Sequence, residues 1–420
     1  MDKLFYNIFI FLYSIAVRIA SLWNPKAKKW IDGRKGLFTT INCQLPTTNC
    51  QLVWMHCASL GEFEQGRPLL EKLRINNSAL IIVLSFFSPS GYDAMKDYEG
   101  ADHIFYLPMD SPANASKFID AIKPTLVLWV KYEYWFYYLD ELKRRNIPVI
   151  LVSGVFRKGQ PFFKWYGGIW RKMLGNFTHF FVQNESSRQL LETLHLDQRV
   201  SVTGDTRFDR VITIEDHYQP VPFIETFCNN SKVIVAGSTW EEDEVELLHF
   251  VKANPGIKFI IAPHEIDPEN LADVKKEFPN SVFFSELEQT PNTKHQTPNV
   301  LIIDNIGTLS RLYKYATIAF VGGGFGEDGV HNVLEAAVYG KPVIFGPVYE
   351  KFDEARGLLE AGGALSVSGP IELEEVLNDL LNDEAERIKR GEAAKNFVYA
   401  NAGASEKIIR FIQENRLFTS

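Results

Sequence analysis

Short apolar runs recur along the chain from Leu52 onward, separated by stretches with helical spacing. The first series occupies 52–57, 79–86, 103–108, 125–130, 148–154, 179–184 and 200–204. Each run is short and rich in Val, Ile, Leu and Phe, as in strands buried on both faces. Between them lie amphipathic segments such as Glu64 to Leu73. Pro220-Val-Pro222 and the polar residues 228–231 interrupt the rhythm and read as a linker. It then resumes at 233–238, 258–264, 282–285, 300–304, 317–323 and 341–347, with a polar surface loop over 286–299. From Ile371 the chain is helical and charge-rich. Strands alternating with helices predict parallel sheets built of βαβ units. The expectation is two Rossmann-like, doubly wound α/β domains, 36–218 and 219–420, with ligands at the carboxyl ends of their strands. Two such domains face to face would form a cleft suited to joining two substrates.

The segment 1–35 follows a different pattern. Leu4 to Val17 is almost wholly apolar or aromatic, Arg18 interrupts it, and Ile19 to Trp23 resumes it. Lys26, Lys28, Lys29, Arg34 and Lys35 follow. A signal peptide would want its positive charge first. A transmembrane anchor wants about 20 apolar residues, slightly more than are present. An interfacial helix and a buried domain helix are the other readings. Positive charge behind the apolar stretch favours a membrane-associated segment with the following domains kept cytoplasmic. Residues 36–52 hold a short direct repeat, Asn-Cys-Gln-Leu twice, expected as a hairpin or an irregular entry segment.

Composition narrows the function. The 420 residues are 46% hydrophobic and 23% charged, as in globular proteins, and a net charge of -8 argues against general nucleic-acid binding. The cysteines at 43, 50, 57 and 228 form no CxxC pair, so no zinc site of ordinary spacing is expected.

Four constellations carry candidate chemistry. The first is 320–347, a strand running into a glycine-rich loop and a helix expected near Asn332. Here Gly322, Gly323, His331, Asn332 and Glu335 are candidates for holding a nucleotide's phosphate and ribose. Gly324, Gly326 and Gly329 also satisfy GxGxxG, with Glu350 further on, but the motif sits late in its domain, which counts against a dinucleotide fold. The second is Gly237-Ser238-Thr239 after a strand, suited to phosphate or to a helix cap, with Pro263 and His264 ending the next strand. The third is Ser59, Gly61 and Glu62 at a strand-to-helix turn, where Glu62 is either a solvated helix-start carboxylate or a general base. Cys57 and His56 alternate faces of a strand and do not suit a nucleophile pair. The fourth is the aromatic stretch from Trp129 to Trp135, in which Glu133 and its neighbours either pack a core or line a sugar or lipid site.

At these residues the chain resembles the Kdo (3-deoxy-manno-octulosonic acid) transferase family. The resemblance runs from the N-terminal segment through Ser59-Leu60-Gly61-Glu62 and Gly237-Ser238-Thr239 to the block 320–347. It implies a GT-B fold, CMP-Kdo as donor, and a lipid A precursor, lipid IVA, as acceptor. It also implies an inverting transfer without metal or other cofactor, Glu62 as base, and residence at the inner membrane with catalytic domains on the cytoplasmic side. Lys131 stands where the family often has the first carboxylate of Glu-x-Glu-x-Trp-Pro. His264 stands where it often has arginine. The alternatives are another GT-B enzyme acting on a UDP-sugar, either a lipid-linked transferase or an epimerase, a nicotinamide-dependent oxidoreductase, and a membrane-tethered nucleotide-sugar binding protein without catalysis, against which Glu62 as base argues.

Overall fold

The computed structural model describes residues 2–44, 51–289 and 298–418. It divides into two compact units, Met1–Arg210 with Ala402–Ser420, and Val211–Asn401. In chain order the strands of the first unit are β1 (Leu52–Cys57), β2 (Ile81–Phe86), β3 (His103–Tyr106), β4 (Leu126–Val130), β5 (Val149–Gly154), β6 (His179–Val182) and β7 (Val200–Val202). Those of the second are β8 (Val233–Thr239), β9 (Lys258–Pro263), β10 (Ser281–Phe283), β11 (Val300–Ile302), β12 (Ile318–Val321), β13 (Val343–Phe345) and β14 (Ala364–Ser366). Each set forms one parallel sheet, ordered β3-β2-β1-β4-β5-β6-β7 and β10-β11-β9-β8-β12-β13-β14. Every apolar run picked out by the pattern is a strand. The run 282–285 is cut short because Phe284 already starts a helix, Phe284–Gln289. β14 escapes the pattern because Ala-Leu-Ser after two glycines is too short to stand out.

Both faces of the first sheet are covered, which explains the unbroken hydrophobicity of β1. Leu52 and Trp54 pack into one cluster with Trp129 and Tyr138, while Val53, Met55 and Cys57 enter another with Phe63 and Leu70. Cys57 is fully buried, and burial pushes its thiol well above the usual range, so it is an inert core residue.

The helix Asp2–Ala20 includes an 18-residue stretch, Lys3–Ala20, long and apolar enough to cross a membrane. One of its faces is engaged by the first unit. The Tyr6 hydroxyl donates to Asp110 at 2.5 Å, Tyr137 donates to Asn7 at 2.6 Å, and Ile10 is buried. Leu4, Phe5, Ile8, Phe9, Phe11 and Leu12 are exposed on it. Arg34 is not a surface cation: its guanidinium lies 3.8 Å from the Trp30 ring centroid and donates to the carbonyls of Trp30, Phe87 and Leu107. Burial lowers its pKa to about 10. Residues Leu37–Gln44 are helical, where a hairpin or irregular entry was expected; the rest of the repeat, 45–50, lies outside the described residues, as does 290–297 of the expected surface loop.

The proline-marked linker is not where the units part. The helix Thr206–Asp216 runs through the division at Arg210, and 220–222 lies within the second unit. The last helix, Ala404–Glu414, belongs with the first unit rather than with the residues before it. Its Ile408, Ile409 and Ile412 enter the cluster around Phe63 and Leu70, and Asp209 accepts hydrogen bonds from the amides of Gly403 and Ser405 that open it. Ile412→Ala therefore removes buried methylenes from the first unit and lowers its stability by about 2–5 kcal/mol. Urea unfolding read by the tryptophans of β1 and β4 measures this; an unchanged midpoint would mean that the helix contributes no stability there.

Candidate active site

In an open parallel sheet, strand order reverses where two neighbouring strands send their connections to opposite sides, and ligands bind at the carboxyl ends there. The reversal lies between β1 and β4 in the first unit and between β8 and β12 in the second. Most of the candidate residues follow these strands, while Pro263 ends β9 and His264 follows it, on the other side of β8.

Glu62 follows β1, in the first turn of the helix Leu60–Asn76, with Ser59 as N-cap. Its carboxylate folds back and accepts from the Ala58 amide at 2.5 Å and from the Tyr132 amide, just past β4, at 3.4 Å. The Ser59 side chain makes no cap bond, so Glu62 satisfies the turn in its place. Burial pushes the Glu62 pKa up to about 7, against the lowering effect of the Ala58 amide, with Glu133 adding to the rise. A carboxylate that titrates near neutrality is matched to proton abstraction at physiological pH. A Cβ on Gly61 would meet nothing within 4 Å, so open space adjoins this carboxylate's turn.

Glu133 stands beside it on the turn after β4. One carboxylate oxygen takes the His56 Nε2 at 2.8 Å and the Trp135 indole N–H at 3.0 Å, and His56 Nδ1 meets Ser85 Oγ at 2.9 Å. The Ser85–His56–Glu133 chain was not visible in sequence. Its signal was parity: His56 shares a sheet face with Trp54 and sits opposite Trp129 in the ladder, two residues before Lys131. Lys131 has left-handed backbone, φ 61, as does Ser238 at the end of β8, φ 55. Strain in non-glycine residues at both reversal points is the kind that functional turns retain.

In the second unit the loops after β8, β9 and β12 interlock. Thr239 is opposite Pro263 in the ladder, and its carbonyl accepts from the His264 amide at 2.8 Å. Trp240, His264 and His331 form a stack, with ring centroids 4.6 Å and 4.4 Å apart along it. The Trp240 indole donates to His331 Nε2 at 3.0 Å, which leaves the proton of a neutral His331 on Nδ1. Burial, with His264 as neighbour, lowers the His331 pKa to about 4, and burial lowers that of His264 too. Both rings are neutral at pH 7, so His264 does not restore an arginine's charge. Trp240 and Asp243 are the residues that sequence reasoning missed. Asp243 is a buried carboxylate that accepts from the amides of Gly323 at 2.7 Å and Trp240 at 2.9 Å. It fastens the glycine loop to the helix after β8.

The glycines serve packing first. A Cβ on Gly322 would lie 2.4 Å from the Ser238 carbonyl oxygen, and one on Gly324 would lie 2.5 Å from the Gly346 amide. The helix expected near Asn332 spans only Leu334–Ala337; Asn332 accepts from its first amide at 3.3 Å and donates to Glu335 at 3.0 Å. Glu335 lies near Tyr313 and Tyr339, whose hydroxyl pKa values are raised chiefly by burial with the Glu335 charge adding to the rise, and a Cβ on Gly237 would strike the Tyr313 hydroxyl at 2.1 Å. Thr239 spends its hydroxyl on Glu244 at 2.7 Å. Among the described residues, no group of three or more His, Cys, Asp or Glu is placed to hold a metal ion.

Residues 31–210 match the family model for 3-deoxy-D-manno-octulosonic-acid transferase. The chain is 27% identical over 411 residues to the 3-deoxy-D-manno-octulosonic acid transferase of Haemophilus influenzae, covering 94% of each. It is 28% identical over 356 residues to that of Aquifex aeolicus, covering 80% of this chain and 88% of the relative. A bifunctional glycosyltransferase/methyltransferase of Fusobacterium nucleatum is 28% identical over 380 residues; the match takes in 87% of this chain and 56% of that longer protein. In fold the chain is similar to the UDP-GlcNAc 2-epimerases of Neisseria meningitidis (TM-score 0.61, 18% identity, 87% of this chain and 100% of that one) and Methanocaldococcus jannaschii (TM-score 0.55, 14%, 87% and 99%). These likenesses establish the two-domain GT-B architecture.

The interlocked loops make a direct test possible. Gly322→Ala forces a methyl against backbone and costs the second unit about 1–3 kcal/mol, whereas Gly326→Ala, whose Cβ would come no nearer than 3.6 Å to anything, is tolerated. Trp240 is the sole tryptophan between 211 and 401, so its fluorine NMR signal in fluorotryptophan-labelled protein reports unfolding of this unit. Equal midpoints for the two variants would show that the loop relaxes around Gly322.

Proposed function

We propose that this chain, whose residues 31–210 match the family model for 3-deoxy-D-manno-octulosonic-acid transferase, transfers Kdo from CMP-Kdo to the glucosamine disaccharide of lipid IVA, a lipid A precursor. The observation that carries the mechanism is the buried carboxylate of Glu62, titrating at about 7 beside open space at Gly61. A sugar hydroxyl of the acceptor gives its proton to Glu62 as its oxygen bonds to the anomeric carbon of Kdo. The bond from that carbon to the phosphate oxygen breaks on the opposite face, so the configuration inverts and CMP leaves. Ser59, Gly61 and Glu133 belong to the acceptor side, with His56 and Trp135 fixing Glu133.

The donor belongs to the second unit. Gly237, Ser238 and Thr239 shape the phosphate turn, where the amides and the Ser238 hydroxyl stabilise the departing charge. Glu335, oriented by Asn332, takes the ribose. Pro263, His264, His331, Gly322 and Gly323 form the wall behind it. Protein groups supply each of these roles, so the transfer proceeds without a metal ion or other cofactor. The exposed apolar face of the helix Asp2–Ala20 rests on the inner membrane from the cytoplasmic side. Its other face is hydrogen-bonded to the domain, which favours a helix lying at the interface over one crossing the bilayer.

Glu62→Gln keeps the shape and removes the basicity, so turnover falls about 10²–10⁴-fold with little change in donor affinity. Glu64, ion-paired to Arg210 at 2.9 Å on the same helix, is the control; Glu64→Gln costs about 1 kcal/mol or less of stability and leaves turnover near normal. The reverse pattern, measured by product mass from CMP-Kdo and lipid IVA, would assign the base wrongly. Because the carboxylate works only when deprotonated, kcat rises with pH through about 7 and levels off above it. A kcat flat from pH 5 to 9 is incompatible with Glu62 as base. Turnover persists in excess chelator; a strict magnesium requirement contradicts the metal-free transfer. CMP, and not UDP, competes with the donor, whereas competition by UDP alone would favour a UDP-sugar enzyme of the same fold.

A further inference from the structure

The first unit contains a cavity of about 760 Å³ lined by Phe5, Phe9, Trp135, Trp165, Ile169 and Trp170, among others. Its volume falls within the range of about 300–1,000 Å³ usual for small-molecule sites. Nothing in the proton-transfer chemistry uses it. Its walls are aromatic and aliphatic, and two of them, Phe5 and Phe9, belong to the helix whose apolar face is exposed. A third, Trp135, donates its indole N–H to Glu133, so one wall of the cavity is bonded to the candidate acceptor carboxylate.

The segment 157–172, which supplies Trp165, Ile169 and Trp170, has a distinctive charge pattern. It contains Arg157, Lys158, Lys164, Arg171 and Lys172 and no acidic residue, in a protein of net charge -8. Trp165 is 91% exposed and Tyr166 51% exposed, the placement of aromatic side chains that sit at a membrane–water boundary. Arg171 holds the segment in shape by donating to the carbonyls of Phe162 and Lys164 at 3.1 Å and 2.8 Å. An apolar cavity edged by cations and continuous with a membrane-facing helix fits a hydrocarbon chain attached to an anionic, phosphorylated headgroup.

We propose that this cavity takes an acyl chain of the acceptor lipid, so that the headgroup sugar is presented to Glu133 and Glu62. The inference rests on the reading of the acceptor as a phosphorylated glycolipid and adds where its chain is held. Each methylene taken out of water strengthens binding about four-fold, so a few of them would dominate recognition of the acceptor.

The test uses full-length protein in detergent micelles, with lipid IVA and its fully deacylated disaccharide as alternative acceptors. Trp165→Asp puts a charge at the cavity wall on an exposed residue, so folding is spared. The ratio of kcat/KM for acylated over deacylated acceptor is expected to fall about ten-fold or more, through KM. An equal fall on both acceptors, or none, overturns the proposal. Lipid IVA carrying a diazirine at a chain end gives a second readout that needs no catalysis. Adducts are expected on Phe5, Phe9 and 165–171, and they should persist when excess phosphatidylglycerol is added. Adducts elsewhere, or adducts displaced by phosphatidylglycerol, assign the cavity to bulk lipid and overturn the proposal. If the wild-type protein transfers no Kdo to either acceptor, the proposed function fails, and the adduct map alone then decides what the cavity holds.

Discussion

A parallel sheet covered by helices on both faces buries most side chains along its central strands, so the turns at the carboxyl ends are where polar groups can meet a ligand. In each unit the winding reverses beside the first strand, so the turns after β1 and β4, and after β8 and β12, diverge and leave a gap between them. Most of the candidate site residues lie at those gaps. Glu62, Lys131 and Glu133 occupy one; Ser238, Thr239, Gly322 and Gly323 occupy the other. The left-handed backbones of Lys131 and Ser238 are the local cost of turning the chain sharply at these points.

The two gaps are electrostatically different. In the first unit a buried carboxylate is poised near neutrality by desolvation and by a second carboxylate, so its proton moves easily. In the second, burial keeps the rings of His264 and His331 neutral, and Asp243 is committed to backbone amides. A base is useful where a hydroxyl must be activated. Fixed backbone dipoles are useful where negative charge is to develop.

The strands were legible in the sequence because burial on both faces forces continuous hydrophobic runs, and β14 was lost because its three residues carry too little of that signal. Candidate residues at strand ends were legible for the same reason: the turn after a buried run must be where polar groups surface. What stayed hidden were contacts between distant segments. Nothing local marks His56 as a partner of Glu133, or Trp240 as the ring that fixes the tautomer of His331, since both depend on sheet order. The glycine loop was read as a cradle for an anion, yet Gly322 and Gly324 are first required by backbone packing against Ser238 and Gly346. The sequence signature of close approach is the same whether the neighbour is a ligand or another strand end. The helix after that loop is only one turn long, with Asn332 and Glu335 bonded to each other at its start.

The return of the last helix to the first unit bears on how the protein is made. The cluster around Phe63 and Leu70 lacks Ile408, Ile409 and Ile412 until the whole second unit has been synthesised. Residues 211–401 must be synthesised in between, which at about 5–20 residues per second takes about 10–40 s. For that interval the nascent first unit has an unsealed apolar face as well as an exposed N-terminal helix. The order of synthesis thus places the second unit's residues ahead of the helix that completes the first unit's core.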